Sequence, residues 1–324
     1  MRASVFCFSD SGAELAERIS ALLGLEKYCI HRRIPHDIGV LFQDNEALIF
    51  IGACGIAVRS IAPFIKSKTT DPAVIVIDDQ ARYVIPILSG HIGGANNLAG
   101  KIAEHLGAEA VITTATDLSG KFSCDSWAVQ NNCAISSMEV AKKVSAAILR
   151  KDISIASEYQ LPYLLPKGLV PASSGEIGIY LGVHVREPFK ATLRLIPRTL
   201  ILGIGCRRGI ESRYLLDHVK SVLSDSGLDI RGVGKIASID LKNDEAALIS
   251  LAQELDAELE FFSADELNAA EGTFDESAFV KNMVGTGNVC ARSAVCAGGK
   301  LIIGKRVMEG VTVAVAEKEW RVVF

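Results

Sequence analysis

The sequence predicts an α/β protein built from two Rossmann-like three-layer α/β domains, residues 1–121 and 198–324, joined by a small variable middle module over residues 122–197. Three observations lead there. A chain of 324 residues exceeds what a single α/β core needs, so two domains are expected. Short β-rich runs alternate with segments of helical period, the pattern of a mostly parallel sheet with helices on its faces. That alternation loosens between Phe122 and Pro197 and resumes at "TLILGIG".

In chain order, "ASVFCF" is a strand and "GAELAERISALLG" a helix closed by Gly24. "ALIFI" and "AVIVID" are the next strands. After "YVIPILSG", Leu98, Ile102 and Leu106 recur at i, i+4 and i+8, so a helix runs from Gly94 or Ala95 to Gly107 before a strand "AVITT". The middle module holds a helix "MEVAKKVSAAILRK", a strand "DISIAS", a proline-bearing patch and a β-like "EIGIYLGVHV", with no assigned fold. In the last block, "TLILGIG" precedes a helix ending at Ser226. Leu248, Leu251, Ala252 and Leu255 share one helical face, Ser263 and Glu266 form a capping box, and "KLIIGK" and "VTVAVA" are strands.

Composition narrows the function. With 49% hydrophobic and 22% charged residues the chain is globular, and a net charge of −4 gives no general attraction to nucleic acid or anionic membrane. The longest apolar runs fall short of the roughly 20 residues that cross a bilayer. Ser9 and Asp10 interrupt the start before a signal-peptide core develops, so a cytoplasmic setting is expected. The eight cysteines contain no CxxC pair, which reads as thiols in a reducing compartment and no protein-built metal site.

One device recurs: an apolar strand, a glycine turn with a cysteine, then arginine. It appears as "LIFIGACGIAVR" (Gly52, Gly55, Arg59), as "LILGIGCRRG" (Gly203, Gly205, Arg207, Arg208) and more loosely as "GTGNVCAR", ending in Arg292. Backbone N–H groups beside a guanidinium suit carboxylates or phosphates; close helix packing with solvated arginines would explain the same residues. None matches G-x-G-x-x-G or the P-loop, which disfavours a nucleotide-dependent oxidoreductase.

The stretch "SGHIGGANN" sits at a strand-to-helix turn. His91 can accept a proton from water near neutral pH, or it is a hydrogen-bonded turn residue. Gly90, Gly93 and Gly94 let a ligand approach main-chain donors that could hold an oxyanion, and Asn96 orients a ligand or caps the helix. "TTATD" is expected on the same sheet edge: Thr113, Thr114, Thr116 and Asp117 position a water or orient His91, or form a capped turn.

These residues carry a family resemblance. The stretch from "IGACGIAVRSIAPFIKSK" through "ILSGHIGGANN" to "AVITTATD" resembles the amino-terminal region of the cobalt-precorrin-5A hydrolase family of the anaerobic route to cobalamin. "LILGIGCRRG", "KIASIDLKNDEAALISLAQEL", "FFSADEL", "GTGNVCARSAV" and "GVTVAVA" resemble its carboxy-terminal domain, which is also similar to a free-standing protein of the aerobic route.

The resemblance implies a hydrolase that opens the ring A acetate δ-lactone of cobalt-precorrin-5A. C20 then leaves with its methyl as acetaldehyde, giving cobalt-precorrin-5B. No resident cofactor is implied, because the cobalt arrives with the tetrapyrrole substrate. Arg59, Lys66, Lys68, Arg207, Arg208, Lys242 and Lys305 are the expected clamps for its carboxylates, with a cleft between the two α/β blocks as the expected place. His91, oriented by Asp117, is the expected base, and amides near Gly93 and Gly94 the oxyanion donors. Ala291 and Arg292 stand where several relatives carry an acidic residue, so no catalytic carboxylate transfers there and Arg292 reads as a clamp or a surface charge. His91, His184 and His218 are candidate cobalt ligands by residue type alone, and for the last two ordinary packing or a surface position is the expected reading. A non-catalytic corrinoid carrier is the rival reading, and a homodimer or transient contact with other enzymes of the pathway the expected association.

Overall fold

The structure, a computed structural model, describes residues 1–26, 29–67, 70–90, 93–113 and 120–324. Contacts divide the chain into two compact units, residues 1–129 and 130–324.

The first unit holds strands β1 (Ala3–Cys7), β2 (Ile30–His31), β3 (Ala47–Ile51), β4 (Ala73–Ile77), β5 (Tyr83–Leu88) and β6 (Glu109–Ala110), in the sheet order β2-β1-β3-β4-β5-β6. β1, β3 and β4 are buried along their whole length, as continuous apolar runs require when both faces are covered. Helices α1 (Asp10–Leu23) and α4 (Ala95–Leu106) cover one face, where Leu15, Ile19, Leu98 and Ile102 meet Val5, Ile49 and Ile75. Helices α2 (Ile38–Asp44) and α3 (Cys54–Ile61) cover the other, over Phe6, Leu48, Phe50 and Val74. Ser9 caps α1 by accepting the Gly12 amide, and Gly24 ends it at φ 66°. Helix α5 (Cys124–Gln130) leads into the second unit.

One strand reverses. β5 runs antiparallel to β4, with Ile77 opposite Val84 and Val74 opposite Leu88. A parallel partner needs a crossover of about a dozen residues, and only Asp78–Arg82 lies between the strands. The Asp78 carboxylate closes this short link by accepting the amides of Gln80, Arg82 and Tyr83. Of the expected strand "AVITT" only Ala110 falls in β6, which begins at Glu109 and is parallel to β5.

The second unit contains two five-stranded sheets. The first has the order β7 (Cys133–Ile135), β11 (Phe189–Pro197), β10 (Gly175–Leu181), β8 (Ile153–Ser157), β9 (Leu169–Pro171), parallel throughout except β7. Helix α6 (Met138–Ile148), capped by Ser137, buries Ala141, Val144 and Ile148. The second sheet has the order β14 (Glu258–Phe262), β13 (Val233–Ile239), β12 (Leu200–Cys206), β16 (Val311–Glu317), β15 (Lys300–Met308). β12, β13 and β14 are parallel, and the β15–β16 hairpin joins antiparallel to β12.

Helices α7 (Ser212–Asp225) and α8 (Ala246–Glu254) bury Leu215, Val219, Leu248 and Leu251 against Leu202, Ile204 and Ile236. The capping box of Ser263 and Glu266 starts α9 (Ala264–Ala269), and α10 (Ala278–Val284) ends at Gly285. Helix α11 (Val289–Cys296) comes so close to β12 that a Cβ on Gly203 would stand 1.7 Å from the Cys290 carbonyl oxygen.

An ion cluster ties the two sheets of this unit together. Asp229, only 5% exposed, accepts Arg194 Nη1 at 2.7 Å from β11 and Arg231 Nη2 at 2.7 Å and Nε at 2.9 Å. Arg231 Nη1 also donates to the Ser136 carbonyl. Burial pushes the Asp229 carboxyl upward, but the bonds from Arg231 and the charge of Arg194 outweigh it and hold it below the ordinary aspartate value.

Asp229→Ala strands Arg194, whose side chain is 12% exposed, and is expected to cost about 3–5 kcal/mol in urea unfolding. Because the folded state depresses this carboxyl, its contribution is complete above the unfolded value of roughly 4 and is lost as pH falls below it. Asp229→Asn should therefore flatten the acid limb of the stability curve; an unchanged limb would mean that another group governs it. Gly203→Ala must push α11 off the sheet and is expected to cost about 1–3 kcal/mol, read as a lowered melting temperature.

Candidate functional site

Because β5 is reversed, the expected site residues of the first unit divide between two rims of one sheet. At the rim where β3 and β4 end, the Gly52 amide donates to the Ile77 carbonyl at 2.8 Å. A Cβ on Gly52 would stand 3.1 Å from Phe8, and the Arg59 guanidinium folds back to within 3.2 Å of the Cβ position of Gly55. The turn after β5 lies at the other rim, where β3 and β4 begin. Five residues of strand, at roughly 3.3 Å each, separate the two by about 16 Å. The structure therefore does not bring Gly52, Gly55 and Arg59 together with Gly90, Gly93, Gly94 and Asn96.

The glycine turn is folded on itself. Ser89, buried and at φ 56°, donates its hydroxyl to the Asp71 carbonyl at 2.9 Å. The Asp71 carboxylate, also buried, accepts the amides of Lys66 at 2.9 Å and Ser67 at 3.0 Å. Ala95 N donates to the Ser89 carbonyl at 3.1 Å and Asn96 N to the Gly90 carbonyl at 2.9 Å. The glycines answer three different demands. A Cβ on Gly93 would stand 2.4 Å from that of Ser89, one on Gly90 would stand 2.8 Å from Asn96 Oδ1, and Gly94 caps α4 at φ 77°.

The first two amides of α4 thus serve the turn itself. Thr113 is exposed and follows β6 toward this same rim. His91, Thr114, Thr116, Asp117 and Lys68 lie outside the described residues. Asp71, which the sequence reading passed over, is the residue that organises the rim; its signal is only an aspartate just before an apolar strand.

In the second unit Arg207, Arg208 and Lys242 follow the ends of neighbouring strands β12 and β13, Lys305 lies within β15, and the four have unequal fates. Gly203 is buried in mid-strand against α11, and Gly205 packs on Val289 and Thr312, so both serve close packing. Arg208 pairs with Asp244 at 2.9 Å and donates to the Leu241 carbonyl at 2.7 Å. The Lys242 ammonium lies 3.6 Å from buried Glu245, whose other oxygen accepts the Gly209 amide. Arg207 donates its amide to the Gly310 carbonyl at 2.8 Å and lays its stem over that glycine.

Among the described residues, neither the Arg207 guanidinium nor the Lys305 ammonium has a carboxylate partner. Burial pushes the Cys206 thiol up to about 11 despite Lys242, so it is no thiolate nucleophile at neutral pH. Arg292 is neither clamp nor surface charge: it pairs with Glu276 at 2.6 Å, donates to the Leu267 carbonyl at 3.0 Å and lies 4.7 Å from the Phe274 ring centroid, stapling the loop before α11.

Comparison with known proteins agrees with the family resemblance at both ends of the chain. Residues 38–117 match the family described as Cobalamin synthesis G N-terminal, and residues 200–316 that described as Cobalamin synthesis G C-terminus. Cobalt-precorrin-5A hydrolase of Salmonella typhimurium is 34% identical over 336 aligned positions that cover 96% of each chain. The protein of that name from Priestia megaterium is 31% identical over 249 positions, covering 71% of this chain and 67% of its own. Protein CobE of Sinorhizobium sp is 28% identical over 121 positions, 36% of this chain and 79% of its own. With both family blocks present in order and one-third identity from end to end, the chain belongs to the cobalt-precorrin-5A hydrolase family.

Proposed function

We propose that this chain hydrolyses cobalt-precorrin-5A to cobalt-precorrin-5B and acetaldehyde. The observation that carries the reading is the 34% identity over 96% of both chains with a relative of that name. Water adds to the carbonyl of the ring A acetate δ-lactone, and the acyl–oxygen bond breaks to leave a carboxylate and a hydroxyl on C20. Loss of that hydroxyl proton forms the aldehyde as the bond from C20 to the macrocycle breaks. The electron pair enters the conjugated ring and is captured by a proton, so water and substrate together account for both products. The cobalt travels with the substrate, and the protein supplies no cofactor.

His91, between Gly90 and Gly93 in the sequence, is the proposed base toward water, with Asp117 as its orienting carboxylate. The amides of Ala95 and Asn96 are already bonded to the turn, so the oxyanion draws on those of Gly93 and Gly94. Arg207 and Lys305 of the second unit are the proposed cations for peripheral acetates and propionates. Arg208 and Lys242 are withdrawn from that role by Asp244 and Glu245. A cytoplasmic, reducing setting suits eight free thiols. Among the described residues, no helix is long and apolar enough to cross a membrane.

Purified chain incubated with cobalt-precorrin-5A, without nucleotide, should release one acetaldehyde per corrinoid converted. Retained pigment without aldehyde would make it a carrier, and a nicotinamide requirement would make it an oxidoreductase. His91→Ala, shown folded by its melting curve, should slow aldehyde release by about 10²–10⁴-fold, and Asp117→Asn should slow it less. Parental rates in both would remove these two residues from the mechanism and leave the activity standing. Arg207→Ala should raise KM by about tenfold or more, as loss of one charged hydrogen bond does, with kcat little changed.

A further inference from the structure

The second unit holds a polar cluster that the reaction as proposed does not use. Glu158 directly follows β8, and Gly182 to His184 directly follow β10, at the end where these parallel neighbours finish. Glu158 Oε1 accepts the Tyr180 hydroxyl at 2.5 Å and the His184 amide at 3.0 Å, and Oε2 accepts the Val183 amide at 3.3 Å. A Cβ on Gly182 would stand 2.5 Å from the Glu158 carboxylate, so glycine is what lets the carboxylate lie over the strand end. Burial pushes this carboxyl upward, but the bonds from Tyr180 and His184 outweigh it and hold it below the ordinary glutamate value.

The His184 ring is held from behind and open in front. Its Nδ1 is enclosed and approaches Glu158 Oε2 to 3.0 Å at ion-pair distance, without the alignment of a hydrogen bond. Its side chain is nonetheless 41% exposed against 15% for Glu158, so the open part is the edge that carries Nε2. A neutral ring with its proton on Nδ1, the nitrogen beside the carboxylate, leaves the lone pair on Nε2. The backbone on either side is fixed, as Asp229 N donates to the Val183 carbonyl and Val185 N to the Gly227 carbonyl, each at 2.8 Å.

A carboxylate behind an imidazole whose far nitrogen is free presents that nitrogen to a metal or to a proton. The surroundings choose between them. A hydrolytic base needs donors close by for the developing oxyanion. Here the amides of Val183 and His184 are bonded to Glu158 and that of Val185 to Gly227. Among these described backbone groups no amide is left beside the Nε2 lone pair.

We propose that His184 Nε2, oriented by Glu158, is the axial nitrogen donor to the cobalt of the bound corrinoid. The inference rests on the proposed function only in taking the ligand to be a cobalt corrinoid. Imidazole nitrogen suits a late first-row metal, and ligation fixes which face of the macrocycle meets the protein.

The test uses the full chain and cob(II)inamide, mixed without oxygen and followed by electron paramagnetic resonance. One axial nitrogen splits each high-field cobalt hyperfine line into a triplet, and labelling the histidines with nitrogen-15 turns each triplet into a doublet. The parent and His36→Ala, altered at an exposed histidine far along the chain, should show the triplet, and His184→Ala should not. Glu158→Gln should weaken corrinoid binding by about 10–100-fold. Unsplit lines from the parent, or a triplet that survives His184→Ala, overturn the ligation. Aldehyde release by a parent with unsplit lines would preserve the hydrolase reading alone, and a His184-dependent triplet without aldehyde would preserve the ligation alone.

Discussion

The link Asp78–Arg82 decides where the glycine-rich turn of the first unit can act. Its length forbids a crossover, its aspartate supplies the acceptor for the amides of Gln80, Arg82 and Tyr83, and β5 is forced to return beside β4. Everything after β5 inherits that reversal. The turn that would stand beside Gly52 in an all-parallel sheet stands instead beside Asp71, at the start of β4. Once there it is held by hydrogen bonds from Ser89 and by amides that close on its own carbonyls, so the glycines are explained by folding as much as by ligand access.

Charge in the second unit follows a similar logic. Three of its arginines stand near carboxylates from segments distant in sequence, Arg208 by Asp244, Arg292 by Glu276 and Arg194 by Asp229, and Lys242 stands near Glu245, three positions on. These pairs hold loops and sheets in place and are poor sites for an anionic ligand, whose carboxylates would have to displace partners already in position. Arg207 and Lys305 differ because no such carboxylate accompanies them among the described residues. Residue type alone does not separate the two groups, since "GCRRG" places a paired and an unpaired arginine side by side.

The same contrast divides the histidines. His218 is buried on α7, where burial lowers its pKa. His184 is half-exposed, backed by the Glu158 carboxyl group, and carried on a strand end whose glycine makes room for that glutamate. A histidine becomes a functional candidate through what stands behind its ring.

Strands with continuous apolar runs, helices with i, i+4 periodicity, the Ser263–Glu266 capping box and the Gly24 and Gly107 helix ends were all legible in the sequence, because each is decided by neighbours within one or two turns of chain. Family membership was legible for the same reason, in long contiguous stretches. The middle sheet, the orientation of β5 and the partners of the arginines were not, because pairing between strands and between charges depends on residues tens of positions apart. Ser89 meets Asp71, Arg194 meets Asp229, and His184 meets Glu158 only after the sheets have formed. Local sequence thus determined which segments are strands and helices; the tertiary structure decided which rim each strand end faces and which side chains remain unpaired there.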